Sequence, residues 1–324
     1  MQNSRRQFYI FDLELAARKG GATVPTMNEI VPVLQGMKNT ARIYPLRGQT
    51  ATMLIGDMAE DAAQQFITLL IRLSDKAAPN SVYSDLVAGH FNEHLKTGNV
   101  GSDYGCHVLI STAPEQGLPN IYTCAIERIP GIPFDLVRRL LSKLLNFEYN
   151  ANPAFYSYPH PAGGVDAQNQ PRRDRCCPYV ELRGRPSDTL IADINSGRIS
   201  SISLIKAEPV TPIAGAPYLT KTESELKLGI DHNNLPANLW ASLSQALQQN
   251  AQTYNTAQVK YRMPNSTRTV TVEIDTNTGA PLSEMYVKSF ELTNMFPFLA
   301  QSAMQIVLHL RDLAVPQFLA NRTI

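Results

Sequence analysis

The residues best suited by type and spacing to do chemistry are His90-Phe91-Asn92-Glu93-His94. Two histidines four apart on a helix project from one face, so both imidazoles can reach a single metal ion. A carboxylate beside them could act as base on a metal-bound water. The surrounding stretch, Ser81 to Lys96, reads as a helix with Ser81 at its N-cap and Gly98 beyond its end. On that reading His90 and His94 are candidate zinc ligands and Glu93 is a candidate catalytic base. A blander reading competes. Leu86, Val87, Phe91 and Leu95 surround the pair, so the histidines can equally border a core or complement the helix C-terminus.

The H-x-x-E-H spelling resembles the inverted zinc-peptidase motif of the insulysin-like family. The resemblance covers these five residues. It implies a further glutamate downstream as third ligand, for which Glu148 and Glu181 are the candidates. No other cofactor is indicated, since the chain has no Gly-rich nucleotide fingerprint.

A second constellation spans residues 138 to 185. Arg138, Arg139 and Lys143 line one face of an expected helix; Tyr156 and Tyr158 follow, then Arg172, Arg173, Arg175, Arg183 and Arg185. Arginine grips phosphate bidentately and aromatic rings stack on unpaired bases, so this mixture suits single-stranded nucleic acid or an acidic protein surface. Eight basic and five acidic residues lie between Gly131 and Pro186, a mildly positive balance. The alternative is a Pro-rich loop whose aromatics pack back onto the domain among solvated arginines.

Smaller signals are weaker. Glu225-Leu226-Lys227, with Asp193 upstream, has the acid–x–lysine spelling of metal-dependent nucleases, a triplet that arises readily by chance. Cys106 and His107, with Asp103 near, could pair as nucleophile and base, but neighbours along a strand point to opposite faces. Cys176-Cys177 sits in an Arg-rich loop that would lower a thiolate pKa if the pair were exposed.

The elements that must position these residues read as follows. Gln7–Leu15 is a first strand, and Thr26 with Glu29 has capping-box spacing for a short helix that Pro32 limits or kinks. Strands are expected at 41–46 and 51–55, and the run 66–73 fits strand or helix. Cys106–Thr112 and Ile121–Ile129 form a hairpin, and Pro133 opens the most amphipathic helix of the chain, with Val137, Leu140, Leu141, Leu144 and Leu145 in its stripe. Prolines and Gly163-Gly164 make 150–178 irregular. Beyond it, Thr189–Ile194 and Ile199–Ile205 read as a hairpin around Asn195-Ser196-Gly197, and Glu225–Asp231 as a strand. Leu235–Gln249 reads as a helix, 258–263, 268–275 and 284–292 as a meander, and Pro297–Leu313 as a buried closing helix. Hairpins with intervening helices argue an α+β fold of two mixed halves, 1–149 and 179–324, joined by the irregular connection 150–178.

The totals bound the function. Of 324 residues 44% are hydrophobic, enough for a sizeable core, and 29 basic against 28 acidic residues make any nucleic-acid role a matter of a local patch. Four cysteines without a pairing framework fit a reducing compartment, so the cytoplasm is expected. Asp12 and Glu14 interrupt the N-terminal apolar stretch and no uncharged run reaches membrane-spanning length, so neither a signal sequence nor a membrane partner is expected. The preferred expectation is a binding protein for nucleic acid, or an acidic partner, acting through the basic and aromatic segment. A zinc hydrolase built on His90, Glu93 and His94 is the alternative. A non-catalytic assembly subunit, with Lys260 and Arg262 on a sheet face and homo-oligomers allowed, is the third reading.

Overall fold

The computed structural model describes residues 4–39, 42–85, 87–213, 216–263 and 268–324. The fold is mixed α+β and dominated by antiparallel strands, and the chain divides into two compact units. One comprises Met1–Leu182 and Phe290–Ile324, the other Arg183–Ser289.

The first unit is built on an eight-stranded sheet. Its path runs β11 (Pro178–Gly184), β1 (Arg6–Ala17), β8 (Ile121–Glu127), β7 (Ser102–Ser111), β4 (Phe66–Asp75), β3 (Ala51–Asp61), β2 (Tyr44–Leu46), and β16 (Ser289–Leu292) also pairs with β1. The unbroken apolar run Phe8-Tyr9-Ile10-Phe11 is explained by burial on both faces. Tyr9 and Phe11 meet Phe134 at the start of α2 (Phe134–Ala151), with ring centroids 5.2 and 4.8 Å apart. Phe8 and Ile10 join Phe66, Leu109 and Ala125 in a core closed by Leu310, Ala314 and Phe318 of α5 (Leu308–Leu319). The stripe of α2 is buried as its spacing requires. α1 (Met27–Gly36) carries both halves of the Thr26–Glu29 capping box and continues through Pro32. The hydroxyl of Tyr122 accepts from the Met27 N–H at 3.0 Å, tying the helix start to β8.

The second unit holds a four-stranded antiparallel sheet in the order β13 (Ala216–Leu228), β12 (Ile199–Ile213), β14 (Thr256–Arg262), β15 (Thr269–Asp275). Leu190 and Ile194 of α3 (Asp188–Asn195) and Leu243 and Leu247 of α4 (Leu239–Gln249) pack with Leu204, Val259 and Ile274. Lys260 and Arg262 share the exposed face of β14, opposite buried Val259 and Tyr261 by the two-residue period.

Several expectations are overturned. Ser81–Lys96 is not a helix: β5 (Ser81–Ser84) and β6 (Phe91–His94) form an exposed hairpin there. The run offers Ser, Val, Tyr, Asn and His, residues with little helix preference, and no apolar stripe that finds a core. Thr189–Ile194 is the helix α3, capped by Ser187, because Leu190, Asp193 and Ile194 fall on one buried side at helical spacing. The third meander strand splits into a 3-10 turn at Glu284–Tyr286 and β16, which pairs with the other sheet. The closing helix begins at Leu308, after an irregular stretch. The stretch 150–178 lies inside the first unit and contains a two-stranded ribbon, β9 (Ser157–Pro159) with β10 (Arg173–Arg175), while Phe290–Ile324 returns to that unit. The turn expected at Pro264-Asn265, the strand start at Ala41 and the neighbour Leu86 lie outside the described residues.

Candidate nucleic-acid interface

The hairpin disposes of the geometry on which the zinc reading depended. His94 is in β6 and His90 just precedes it. Four residues of extended chain span about 13 Å, against roughly 5–6 Å for the same spacing on a helix. His94 packs edge-on against Tyr83, and Glu93 accepts a hydrogen bond from Asn80 Nδ2 at 2.6 Å. Among the described residues no group of three or more His, Cys, Asp or Glu side chains is placed to hold a metal ion.

The basic and aromatic segment is rearranged more subtly. Tyr156 and Tyr158 are buried, so neither ring can stack on a base. Tyr156 sits edge-on between Tyr149 and Phe155, with centroids 5.7 and 4.9 Å away. Burial, with Glu148 nearby, pushes its hydroxyl well above the ordinary tyrosine range. These rings anchor the segment. Sequence reasoning assigned them to binding because composition cannot tell an inward ring from an outward one.

The helical cations are engaged within α2. Arg138 and Arg139 both hold Asp135, each at 2.6 Å, and Lys143 lies 5.3 Å from the centre of the Phe147 ring. Arg183 and Arg185 are half-buried and belong to the second unit.

What remains is the ribbon. β10 and β9 pair antiparallel with Arg173 opposite Pro159, Asp174 opposite Tyr158 and Arg175 opposite Ser157. Directly opposed residues share a face, so Asp174 and Tyr158 turn inward and Arg173 and Arg175 turn outward. Arg172, Arg173 and Arg175 are all exposed. Arg173 is steadied by Ser157, donating to its Oγ at 3.1 Å and its carbonyl at 2.7 Å. Neither Arg172 nor Arg175 forms a close ion pair among the described residues. The inward Asp174 is taken by Lys19, whose hydrogen bond holds the carboxyl below its ordinary range, and His160 Nε2 stands 3.8 Å away. Lys19 itself is raised by the same contact. The contact brings Lys19 to the ribbon, and its exposed neighbour Arg18 lies over the Tyr179 ring at 5.8 Å. These two cations, remote in sequence, were not foreseen; the pairing of Lys19 with Asp174 across 155 positions leaves no local signal.

A second polar cluster was undervalued in the sequence. Glu127 is buried and receives Arg6 Nε at 2.8 Å, His107 Nδ1 at 2.7 Å and the His107 backbone N–H at 2.9 Å. The Val307 N–H donates to His107 Nε2 at 3.1 Å, which selects the tautomer with its proton on Nδ1. Cys106 does not face His107 as a nucleophile faces a base. Its thiol donates to the Glu127 carbonyl, and burial beside Glu127 pushes it well above its ordinary pKa. Cys176 is buried and Cys177 half-buried. Glu225 and Lys227 lie on the exposed edge strand β13, and Asp193 on helix α3. Comparison with protein-family models, with curated proteins and with solved structures gave no match to this chain.

Proposed function

We propose that the protein binds nucleic acid through its phosphate backbone, using the outward face of the β9–β10 ribbon. One observation carries the reading: Arg173 and Arg175 stand exposed on that face, with exposed Arg172 just before the strand, while the inward acid, Asp174, is paired with Lys19. Guanidinium groups that are not spent on internal ion pairs are free to form bidentate contacts with phosphate oxygens. Buried Tyr156 and Tyr158 take base stacking out of the reading, so the expected binding has little sequence preference. Exposed Arg18, next in sequence to Lys19, adds positive charge beside the ribbon. The near-zero net charge is compatible with a binding face of this limited size.

The test is fluorescence anisotropy with a labelled oligonucleotide across a salt series. Affinity should fall as salt rises, because each neutralised phosphate releases counterions. Reversing Arg172, Arg173 and Arg175 to Glu should abolish measurable binding, while the gentler triple Gln variant flattens the logarithmic salt slope by about 3. Both should leave the melting temperature unchanged. Oligonucleotide binding that survives the reversal sinks the proposal. No binding even at low salt also sinks it, and turns attention to an acidic protein surface as the ligand of the same face.

A further inference from the structure

The sheet of the second unit ends on a strand with an open edge. β13 is last in its order, and every side chain from Tyr218 to Leu228 is exposed apart from half-buried Ser224. Beyond Ile205, β12 pairs only with β13 among the described residues, so the two strands continue as a ribbon past the end of β14. An edge of this length offers a row of backbone N–H and C=O groups to a further strand. From Thr220 to Leu226 its side chains alternate, Thr220, Thr222, Ser224 and Leu226 on one face and Lys221, Glu223 and Glu225 on the other; the register on β12 shifts opposite Thr222 and breaks between Thr220 and Ala216.

We propose that the strand that covers this edge is β13 of a second copy, paired antiparallel about a two-fold axis through Thr222. The argument is the self-complementarity of the sequence in that register. It sets Lys221 opposite Glu223 of the second copy, and the symmetry makes the pair twice. On the other face Thr220 meets Ser224 and Thr222 meets Thr222, hydroxyl pairings that stabilise antiparallel strands. Leu226, 42% exposed in the single chain, lies on the face that this pairing extends. Neighbouring registers fail. An axis through Glu223 stacks that carboxylate on itself; an axis through Ser224 sets Lys221 on Lys227 and Glu223 on Glu225. The regular ladder ends at Thr220, before Pro217 and Leu219 could oppose Lys227 and Glu225. Charged residues on an edge normally deter pairing. Here they deter an arbitrary strand and admit a copy in one register. The inference stands on the second unit alone and is independent of the arginine face.

The experiment is sedimentation velocity over a concentration series, with charge-swapped variants. The wild type should show a concentration-dependent dimer. Lys221→Glu sets glutamate against glutamate twice, and should weaken the dimer about tenfold or more. Adding Glu223→Lys to that variant restores opposite charges and should bring the affinity back. Loss of the internal contact between Lys221 and Glu208, 3.6 Å apart, would not be repaired by that second change. As a separate readout, Thr222→Cys should give a disulfide-linked dimer under mild oxidation, since the two positions face each other on the axis. Thr220→Cys should not, because its twin lies about 13 Å away along the strands. A monomer at every concentration overturns the proposal and leaves a strand of another protein as the edge's occupant. A dimer indifferent to Lys221→Glu, or a double variant that stays weak, overturns it too.

Discussion

At the scale of single residues, Glu127 ties together three groups of the first unit. It is buried, yet its two oxygens receive a guanidinium, an imidazole and a backbone amide, so its charge is paired and its lone pairs are used. Truncation would leave Arg6 buried without its acid and His107 without the acceptor that orients it. Breaking a buried pair on one side usually costs about 3–5 kcal/mol. Glu127→Ala should therefore lower stability by an amount in that range, read from urea unfolding, whereas Arg175→Ala on the exposed ribbon should cost well under about 0.5 kcal/mol. Equal costs at the two positions would contradict this division between a structural cluster and a binding face. Cys106 follows the same logic: its raised thiol is a consequence of burial beside Glu127 and marks packing.

At the scale of elements, the hairpin β5–β6 is the instructive case. Asp75 at the end of β4 pairs directly with Ser102 at the start of β7, so residues 76–101 leave the sheet and return to the same rung. Nearly all the described side chains of the hairpin are exposed, including Val87 and Phe91. An excursion that buries almost nothing contributes little to the core, and closing a shorter loop over the same rung costs no more entropy than closing the long one. Replacing residues 78–98 by a short Gly-Ser linker should keep folding stability within about 1 kcal/mol. A collapse of the thermal transition would show that the hairpin packs on something essential. The same excision removes His90, Glu93 and His94 together, so unchanged oligonucleotide binding by the shortened protein would assign that activity elsewhere in the chain, in line with the ribbon.

At the scale of the whole molecule, the first unit is closed by the end of the chain. α5 places Leu310, Ala314 and Phe318 on the core that β1 began, and Arg322 Nη1 donates to the carbonyls of Gln64 and Gln65 at 2.8 and 3.1 Å. Contacts between residues some 300 positions apart impose a large loop-closure cost before they stabilise anything. Phe318→Ala should cost about 3–5 kcal/mol, as for other large aromatic truncations in cores. Ending the chain at Val307 should leave the first unit unable to fold at all, seen as loss of dispersed amide resonances. A truncated protein that melts like the full chain would refute this account of the C-terminal segment.

Some of this was determined by the sequence alone. The capping box at Thr26 and Glu29, the stripe of α2, the first strand at Gln7–Leu15, and the β7–β8 hairpin all follow from local patterns, where propensity and periodicity agree. The α+β class followed from them. Other features were decided only by tertiary structure. Ser81–Lys96 is a hairpin where its sequence predicts a helix, and Thr189–Ile194 a helix where its sequence predicts a strand, because apolar spacing is ambiguous until one knows which side chains find a core. Tyr156 and Tyr158 looked like a stacking platform and turned out to be anchors, since a ring's orientation depends on what packs above it. Glu127 meets Arg6 across 121 positions, and Lys19 meets Asp174 across 155. Local sequence carries the geometry of one turn or one strand; contacts of that span are set by the burial of the whole chain, and only the folded structure states which charges end up paired and which remain facing water.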